Sequence, residues 1–225
     1  MRELLKEQLP FLTTEGCDKF IAYYHLLMEW NGKINLTAIK EPRDVMQKHF
    51  ADSLATLPYL PQGAKIVDVG TGAGFPGVPL LIVRPDLRVT LCDSLQKRIK
   101  FLELLCRELD IKAELVHARA EDLGQNPKHR EKYDFALTRA VASLPVLLEL
   151  TLPLVKVGGK SLCYKGEAAE ELQAARSALR VLHASAQVQP IPSEWGLRNL
   201  IICTKNALTD KQYPRKAGTP GKNPL

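Results

Sequence analysis

Four glycines crowd into Val67-Asp68-Val69-Gly70-Thr71-Gly72-Ala73-Gly74-Phe75-Pro76-Gly77, directly behind an apolar run. A strand that feeds a glycine turn and then a helix is how a parallel α/β sheet makes room for a nucleotide-like ligand. Without Cβ atoms, Gly70, Gly72 and Gly74 let a bulky group approach the backbone. Pro76 suits the first turn of a helix, where its missing N–H costs nothing. Asp93 closes the next apolar run, roughly 20 residues beyond the turn, where a carboxylate accepts hydrogen bonds from ribose hydroxyls. The same residue would also serve as a cap for a helix starting near Leu95. Arg139 ends a fourth apolar run and Lys165 a fifth, the positions at which ligands gather in open α/β sheets. A guanidinium there grips a carboxylate, a phosphate or the O6/N7 edge of guanine. An ammonium holds a phosphate or simply stays solvated.

These residues need a scaffold. From Lys65 onward the pattern predicts strands at 65–69, 88–92, 113–117, 133–138, 160–164, 185–190 and 199–204. Helices are predicted at 76–84, 95–109, 144–155 and 168–182. Such alternation implies a parallel sheet with helices on both faces. The stretch from Pro190 to Arg198 is too short for a right-handed crossover, so the last two strands should pair as an antiparallel hairpin. That makes the fold class α/β, with the Rossmann-like seven-stranded sheet of class I S-adenosylmethionine (SAM) methyltransferases. Ahead of the sheet, Phe20, Tyr24, Leu27 and Asn31 mark one helical face, widened by Ile21, Met28 and Trp30. A second helical piece is expected from Asp44 to Leu57. The expected division is a helical cap over 1–62, a cofactor-binding core over 63–206 and a basic Pro/Gly-rich tail over 207–225.

Composition sets the outer limits. The chain has 225 residues, 45% of them hydrophobic, and a net charge of +6. That is enough for one sizeable core and gives a modest bias toward polyanionic partners. No apolar run approaches the roughly 20 residues that would cross a bilayer. Met1 to Gln8 lacks the apolar core of a signal peptide, so a cytoplasmic protein is expected. Cys17, Cys92, Cys106, Cys163 and Cys203 include no CxxC pair, so no metal site or disulfide framework is expected, only reduced, mostly buried thiols. The tail from Lys211 to Leu225 is basic and almost free of acid. It reads either as a disordered solubilising segment or as an arm along a phosphate backbone.

The glycines permit two registers. Gly70-x-Gly72-x-Gly74 behind Asp68 suits a SAM-binding turn, and Gly72-x-Gly74-x-x-Gly77 suits a dinucleotide turn equally well. The C-terminal hairpin and Ala120-Glu121-Asp122 after the third strand, where groups around an adenine fall, favour SAM. So does the lack of a Tyr-x-x-x-Lys pair for hydride transfer. An NAD-dependent oxidoreductase remains the alternative, as does a non-catalytic RNA-binding or ribosome-assembly module on the same fold. Thr138-Arg139-Ala140-Val141-Ala142-Ser143 stands where exocyclic-nitrogen methylation brings an Asn/Asp-Pro-Pro-aromatic loop. No Pro-Cys nucleophile for carbon methylation occurs either. A target with its own lone pair, such as guanine N7, needs neither.

Taken in order, Asn35-Leu36-Thr37-Ala38-Ile39, His49-Phe50-Ala51-Asp52-Ser53-Leu54 and the glycine segment resemble the bacterial small-subunit rRNA methyltransferase G family, also called glucose-inhibited division protein B. Leu91 to Arg98, Ala120-Glu121, Thr138 to Ala142, Tyr164-Lys165-Gly166 and Tyr213 to Pro220 extend the resemblance over nearly the whole chain. It implies SAM-dependent N7-methylation of one guanosine in the decoding-region loop of 16S rRNA. The implied partner is that RNA or the small ribosomal subunit; a monomer is expected because nothing in the sequence suggests a coiled coil or a large exposed apolar face. It carries Gly70, Phe75, Ala120, Glu121 and Arg139 over as cofactor contacts, and the fold's usual geometry gives Asp93 the ribose. Gly72, Gly74 and Ser94 complete the expected cofactor site, with Arg139 and Lys165 near the target. His49, Asp52 and Ser53 match the N-terminal signature and are expected to line the approach to the methyl donor. Thr138 replaces the family's usual serine and leaves Arg139 intact. The resemblance also favours RNA contact for the tail.

Overall fold

The computed structural model describes all 225 residues. Its centre is a seven-stranded sheet: β1 Lys65–Val69, β2 Arg88–Asp93, β3 Glu114–His117, β4 Tyr133–Arg139, β5 Val155–Lys165, β6 Ala184–Pro190 and β7 Asn199–Lys205. The strand order is β3-β2-β1-β4-β5-β7-β6. All pairings are parallel except those of β7, which runs antiparallel to both β5 and β6. The hairpin expected from the short Pro190–Arg198 connection is present, with β7 inserted beside β5.

Side-chain alternation along each strand divides the core in two. Ile66, Leu91, Leu137, Leu162 and Leu200 bury on one face, while Val67, Cys92, Ala136, Cys163 and Ile201 bury on the other. The first face is covered by α1 Arg2–Gln8, α2 Thr14–Ile34, the short α3 Pro42–Val45, α4 Gly77–Val83 and α5 Gln96–Glu108. The second is covered by α6 Ala120–Gln125, α7 Leu144–Thr151, α8 Ala169–Ala174 and α9 Arg176–Val181; α10 Thr219–Lys222 follows near the C-terminus. All five cysteines are free and buried. No helix is long and apolar enough to cross a membrane.

Several expectations need correction. The buried face of α2 is Phe20, Tyr23, Leu27 and Asn31, and Tyr24 is only half-buried. The helical piece expected from Asp44 to Leu57 is present, but it passes from α3 through a π-helical turn, Met46–Ala51, to a 3-10 turn, Leu54–Tyr59. The helix expected at 168–182 is two short helices, and α6 was not anticipated. Residues 207–225 are not a free tail. Pro214 and Pro220 are buried, and Tyr213 and Leu225 pack on the second core.

Candidate active site

The glycine turn is held from three sides. Gly70 and Thr71 donate their N–H groups to the Cys92 carbonyl at 2.9 and 3.1 Å, tying the turn to β2. Asp68 Oδ2 accepts from Thr71 Oγ1 at 2.7 Å and from the Gly77 N–H at 2.9 Å, closing the turn on itself. From the N-terminal region, the Tyr23 hydroxyl donates to the Ala73 carbonyl at 2.6 Å. Gly70 sits at φ +70°, and a Cβ there would lie 2.8 Å from Val141 Cγ2. A Cβ on Gly77 would meet Leu91 Cδ2 at 2.4 Å. Gly77 thus lets α4 approach the sheet, a packing role that holds whichever ligand the turn serves. Asp68 is fully buried, and burial pushes its carboxyl up to about 6. Its Oδ1 has no hydrogen-bond partner.

Above the carboxyl ends of β1 and β2 lies a cavity of about 240 Å³ bordered by Gly70, Asp93, Ser94, Ala120 and Glu121. Val146 and Leu150 supply an apolar wall, and Gly218 and Gly221 reach it from the C-terminal segment. Asp93 caps the following helix and also ties down the glycine turn. Its Oδ1 accepts the Leu95 N–H at 2.9 Å, the capping role, while Oδ2 accepts from Gly72 at 2.9 Å and from Arg98 at 3.1 Å. Three of roughly four acceptor sites of the carboxylate are filled, which leaves capacity toward the cavity. Glu121 is buried, and its Oε1 accepts the Gly218 N–H at 2.7 Å.

A second cavity, of about 360 Å³, opens beside the ends of β4 and β5 and is bordered by His49, Asp52, Arg139, Lys165, Trp195 and Arg198. Arg139 turns into it. Nη1 donates to the Lys48 carbonyl at 3.0 Å and to Asp52 Oδ2 at 3.2 Å, and Nη2 reaches His49 Nδ1 at 3.2 Å. The guanidinium lies 4.8 Å from the centre of the Phe75 ring, and the His49 ring stacks on Phe75 at 4.5 Å. Arg198 forms a fork on the same Asp52, at 2.9 and 2.8 Å. The π turn contributes here, because its carbonyls at Lys48 and His49 face Arg139, and such turns recur at functional sites.

His49 is held neutral. Burial first, then the Arg139 charge, pulls its imidazole down to about 3. A guanidinium only donates, so Nδ1 must accept from Arg139, and the ring proton sits on Nε2. From there it donates to Thr37 Oγ1 at 2.8 Å.

The expected site residues therefore divide. Gly70, Asp93, Ser94, Ala120 and Glu121 border the first cavity. Gly72 and Gly74 shape the turn beneath it. Phe75 packs away from it, between His49 and Tyr23. Arg139 belongs to the second cavity together with His49 and Asp52, and Ser53 is turned back onto the His49 carbonyl. Lys165 is not solvated. It donates to the Ala142 carbonyl and to Glu171, both at 2.6 Å. Sequence reasoning missed Tyr23, Val141, Arg198 and the C-terminal glycines. Trp195 three residues before Arg198 in the hairpin loop is the one local sign of an aromatic–cation pair, whose centres lie 5.0 Å apart.

A cavity over a glycine turn, at the carboxyl edge of this sheet order, defines the class I SAM-dependent methyltransferase fold. Solved structures share it. An O-methyltransferase from Bacillus cereus in complex with SAH aligns with a TM-score of 0.59 at 17% identity, covering 82% of this chain and 91% of that one. A methyltransferase from Pyrococcus furiosus aligns at 0.58 with 13% identity, covering 84% and 99%. A family model described as rRNA small subunit methyltransferase G matches residues 16–200. Curated relatives of that name are similar over the full chain: 50% identical in Halalkalibacterium halodurans, covering 97% of the relative, and 47% in Alkaliphilus oremlandii, covering 99%. The chain belongs to the rRNA small subunit methyltransferase G family.

Proposed function

We propose that this protein methylates N7 of one guanosine in the decoding-region loop of 16S rRNA, using SAM. Family membership supports the reaction. The observation that carries the reading is the loop from Arg139 to Ser143, which borders both cavities. It gives Val141 and Ala142 to the first and Arg139 and Ala140 to the second. One short segment separates a place for a methyl donor from a place for a base.

The first cavity fits the donor. Asp93 keeps acceptor capacity for ribose hydroxyls, and Ala120, Val146 and Leu150 offer apolar surface to an adenine. Asp68 Oδ1 is a buried, unpartnered oxygen beneath the turn, and Gly70 lets Val141 pack directly against the turn. When bound, SAM supplies an electrophilic methyl carbon on a positively charged sulfur. Guanine N7 presents its own lone pair, so the chain has no proton to remove and its work is positioning. On this reading Arg139 offers its Nε–H and a second Nη2–H to O6 or to a phosphate, while Asp52 and His49 hold the rest of the group still. Lys165 acts as a positioning residue: it holds Ala142, and its partner Glu171 accepts the Leu144 N–H, so the C-terminal end of the loop is tied down. The protein works in the cytoplasm as a monomer, with residues 1–62 as cap, 63–206 as cofactor core and 207–225 as tail.

Tritium transfer from labelled SAM to 16S rRNA, free and within small subunits, tests the reading once the labelled base is mapped. A single 7-methylguanosine in the decoding-region loop is expected. Label elsewhere, or none despite SAM binding, would remove the proposed target. Arg139→Ala should lower turnover by about 100-fold or more with the fold retained, because Asp52 keeps Arg198 as a partner. Near-normal turnover would take Arg139 out of the mechanism.

A further inference from the structure

We infer that the C-terminal segment 207–225 is a latched wall of the cofactor cavity and strengthens binding of the methyl donor; this rests on the reading of that cavity as the SAM site. The segment crosses α6 and α7 on contacts built for it. A Cβ on Gly124 would stand 2.7 Å from Pro214 Cγ, so only glycine leaves room for that proline. Gln125 donates to the Pro214 carbonyl at 2.8 Å, and Arg130 donates to the carbonyls of Tyr213 and Thr209, both at 2.7 Å.

Arg215 is the latch. Its backbone N–H and its Nε both donate to Glu149 Oε1 at 2.8 Å, and Nη2 donates to Oε2 at 2.6 Å. The Glu149 side chain is fully buried, so this charge has its partner only while the segment is docked. Beyond the latch the chain turns at Gly218, φ +84°, where the N–H meets Glu121. Gly218 and Gly221 then border the same cavity as Gly70 and Asp93. An acid of the cofactor cavity and the end of the chain thus hold each other in place. Arg215 is occupied inside the protein, and Lys211, Lys216 and Lys222 are the exposed cations of the segment.

Closure of a wall and binding of the ligand behind it are reciprocal: whatever docking adds to affinity, the ligand adds to docking. The test uses the full chain, Arg215→Ala and the neutral double variant Glu149→Gln/Arg215→Gln, which leaves no buried charge unpaired. Affinity for S-adenosylhomocysteine is measured by calorimetry, and protease cleavage within 207–218 is timed with and without it. Expected are faster cleavage in both variants, an affinity about tenfold weaker, and slower cleavage of the unaltered chain when the ligand is present. Affinity within twofold of the unaltered chain, alongside faster cleavage, would reduce the segment to a structural brace and overturn the inference. Unchanged cleavage in the double variant would overturn the latch. No binding by the unaltered chain would instead remove the SAM reading on which the inference stands.

Discussion

On one side of the loop Arg139–Ser143 the cavity takes its shape from backbone: a glycine turn fixed by N–H groups on Asp68, Asp93 and the Cys92 carbonyl. On the other side the wall is side-chain charge: two guanidiniums sharing the buried Asp52, with a neutral imidazole between Arg139 and Thr37. The two fail differently. A wall of backbone tolerates changes of salt but not added atoms, because its shape is set by φ angles and close approach. A wall of charge tolerates small additions but not the loss of one partner, since an uncompensated ion is left out of water. The division suits the work proposed for each cavity. An invariant small molecule needs a fixed mould, and an RNA segment that arrives and leaves needs donors aimed at its edges.

The largest effect expected from this contrast is at Asp52. Asp52→Asn keeps the shape but leaves Arg139 and Arg198, each about one-tenth exposed, facing one another without a counter-charge. A loss of about 3 kcal/mol in unfolding free energy is expected, the size typical of breaking a buried pair. Affinity for S-adenosylhomocysteine should stay near its original value in the folded fraction. Denaturant titration and calorimetry on the same sample check this. A comparable loss of cofactor affinity would mean that the two cavities are one energetic unit.

The charge-built side should also carry an acid sensitivity. His49 titrates at about 3 in the fold against 6.5 when unfolded. Below pH 6.5 the unfolded chain therefore takes up a proton that the folded chain refuses. The His49 contribution is complete above pH 6.5 and is lost as pH falls toward 3, with a limiting slope of about 1.4 kcal/mol per pH unit. Asp68 runs the other way, since its raised carboxyl favours the fold as pH drops from about 6 to 3.8. The comparison that isolates His49 is the stability difference between the unaltered chain and His49→Gln. It should shrink as pH falls through that window, and parallel curves would show that the imidazole is not held neutral.

How much of this could be read from the chain depends on how local each signal is. The seven strands are legible because alternate residues such as Ile66 and Val67 must face opposite sides of a sheet covered on both faces. The glycine turn is legible because positive φ leaves few other residue choices. Arg139 is found by its place at a strand end, although the direction of its side chain depends on carbonyls of a π turn that no spacing rule announces. The buried face of α2 is misread by one residue: Tyr23 and Tyr24 differ by about 100° around the helix, and only the position of the glycine turn decides between them. The six residues of α6 are too short to show a helical period. The docking of the tail is the least legible feature. Its partners Glu149 and Glu121 lie 66 and 97 residues away in sequence, so composition alone leaves a basic, Pro/Gly-rich end that looks unstructured.

On the backbone-built side the expected losses are smaller and appear as affinity. Gly70→Ala forces a residue with a Cβ to φ +70° and against Val141. The backbone term alone costs about 1–2 kcal/mol, and binding of S-adenosylhomocysteine should weaken about tenfold as the turn shifts. Retained affinity in Gly70→Ala would show that the turn is less rigid than its hydrogen bonds imply.

The finest test is Tyr23→Phe, because it removes one oxygen from a residue that touches neither cavity. The hydroxyl is fully buried, and burial holds its ionisation well above the ordinary range, so it serves only as a donor to the Ala73 carbonyl. The ring, stacked 5.3 Å from Phe75, remains. Deleting the hydroxyl leaves a buried carbonyl with one partner fewer, at a cost of about 1 kcal/mol. It also opens space beside Gly74, where the oxygen now stands 2.9 Å from the place a Cβ would take. If the N-terminal helix positions the glycine turn, this loss appears in cofactor affinity, a few-fold by calorimetry, while turnover at saturating SAM is unchanged. If the hydroxyl serves stability alone, unfolding free energy falls and affinity does not. The cap would then cover the sheet without shaping the cavity beneath it.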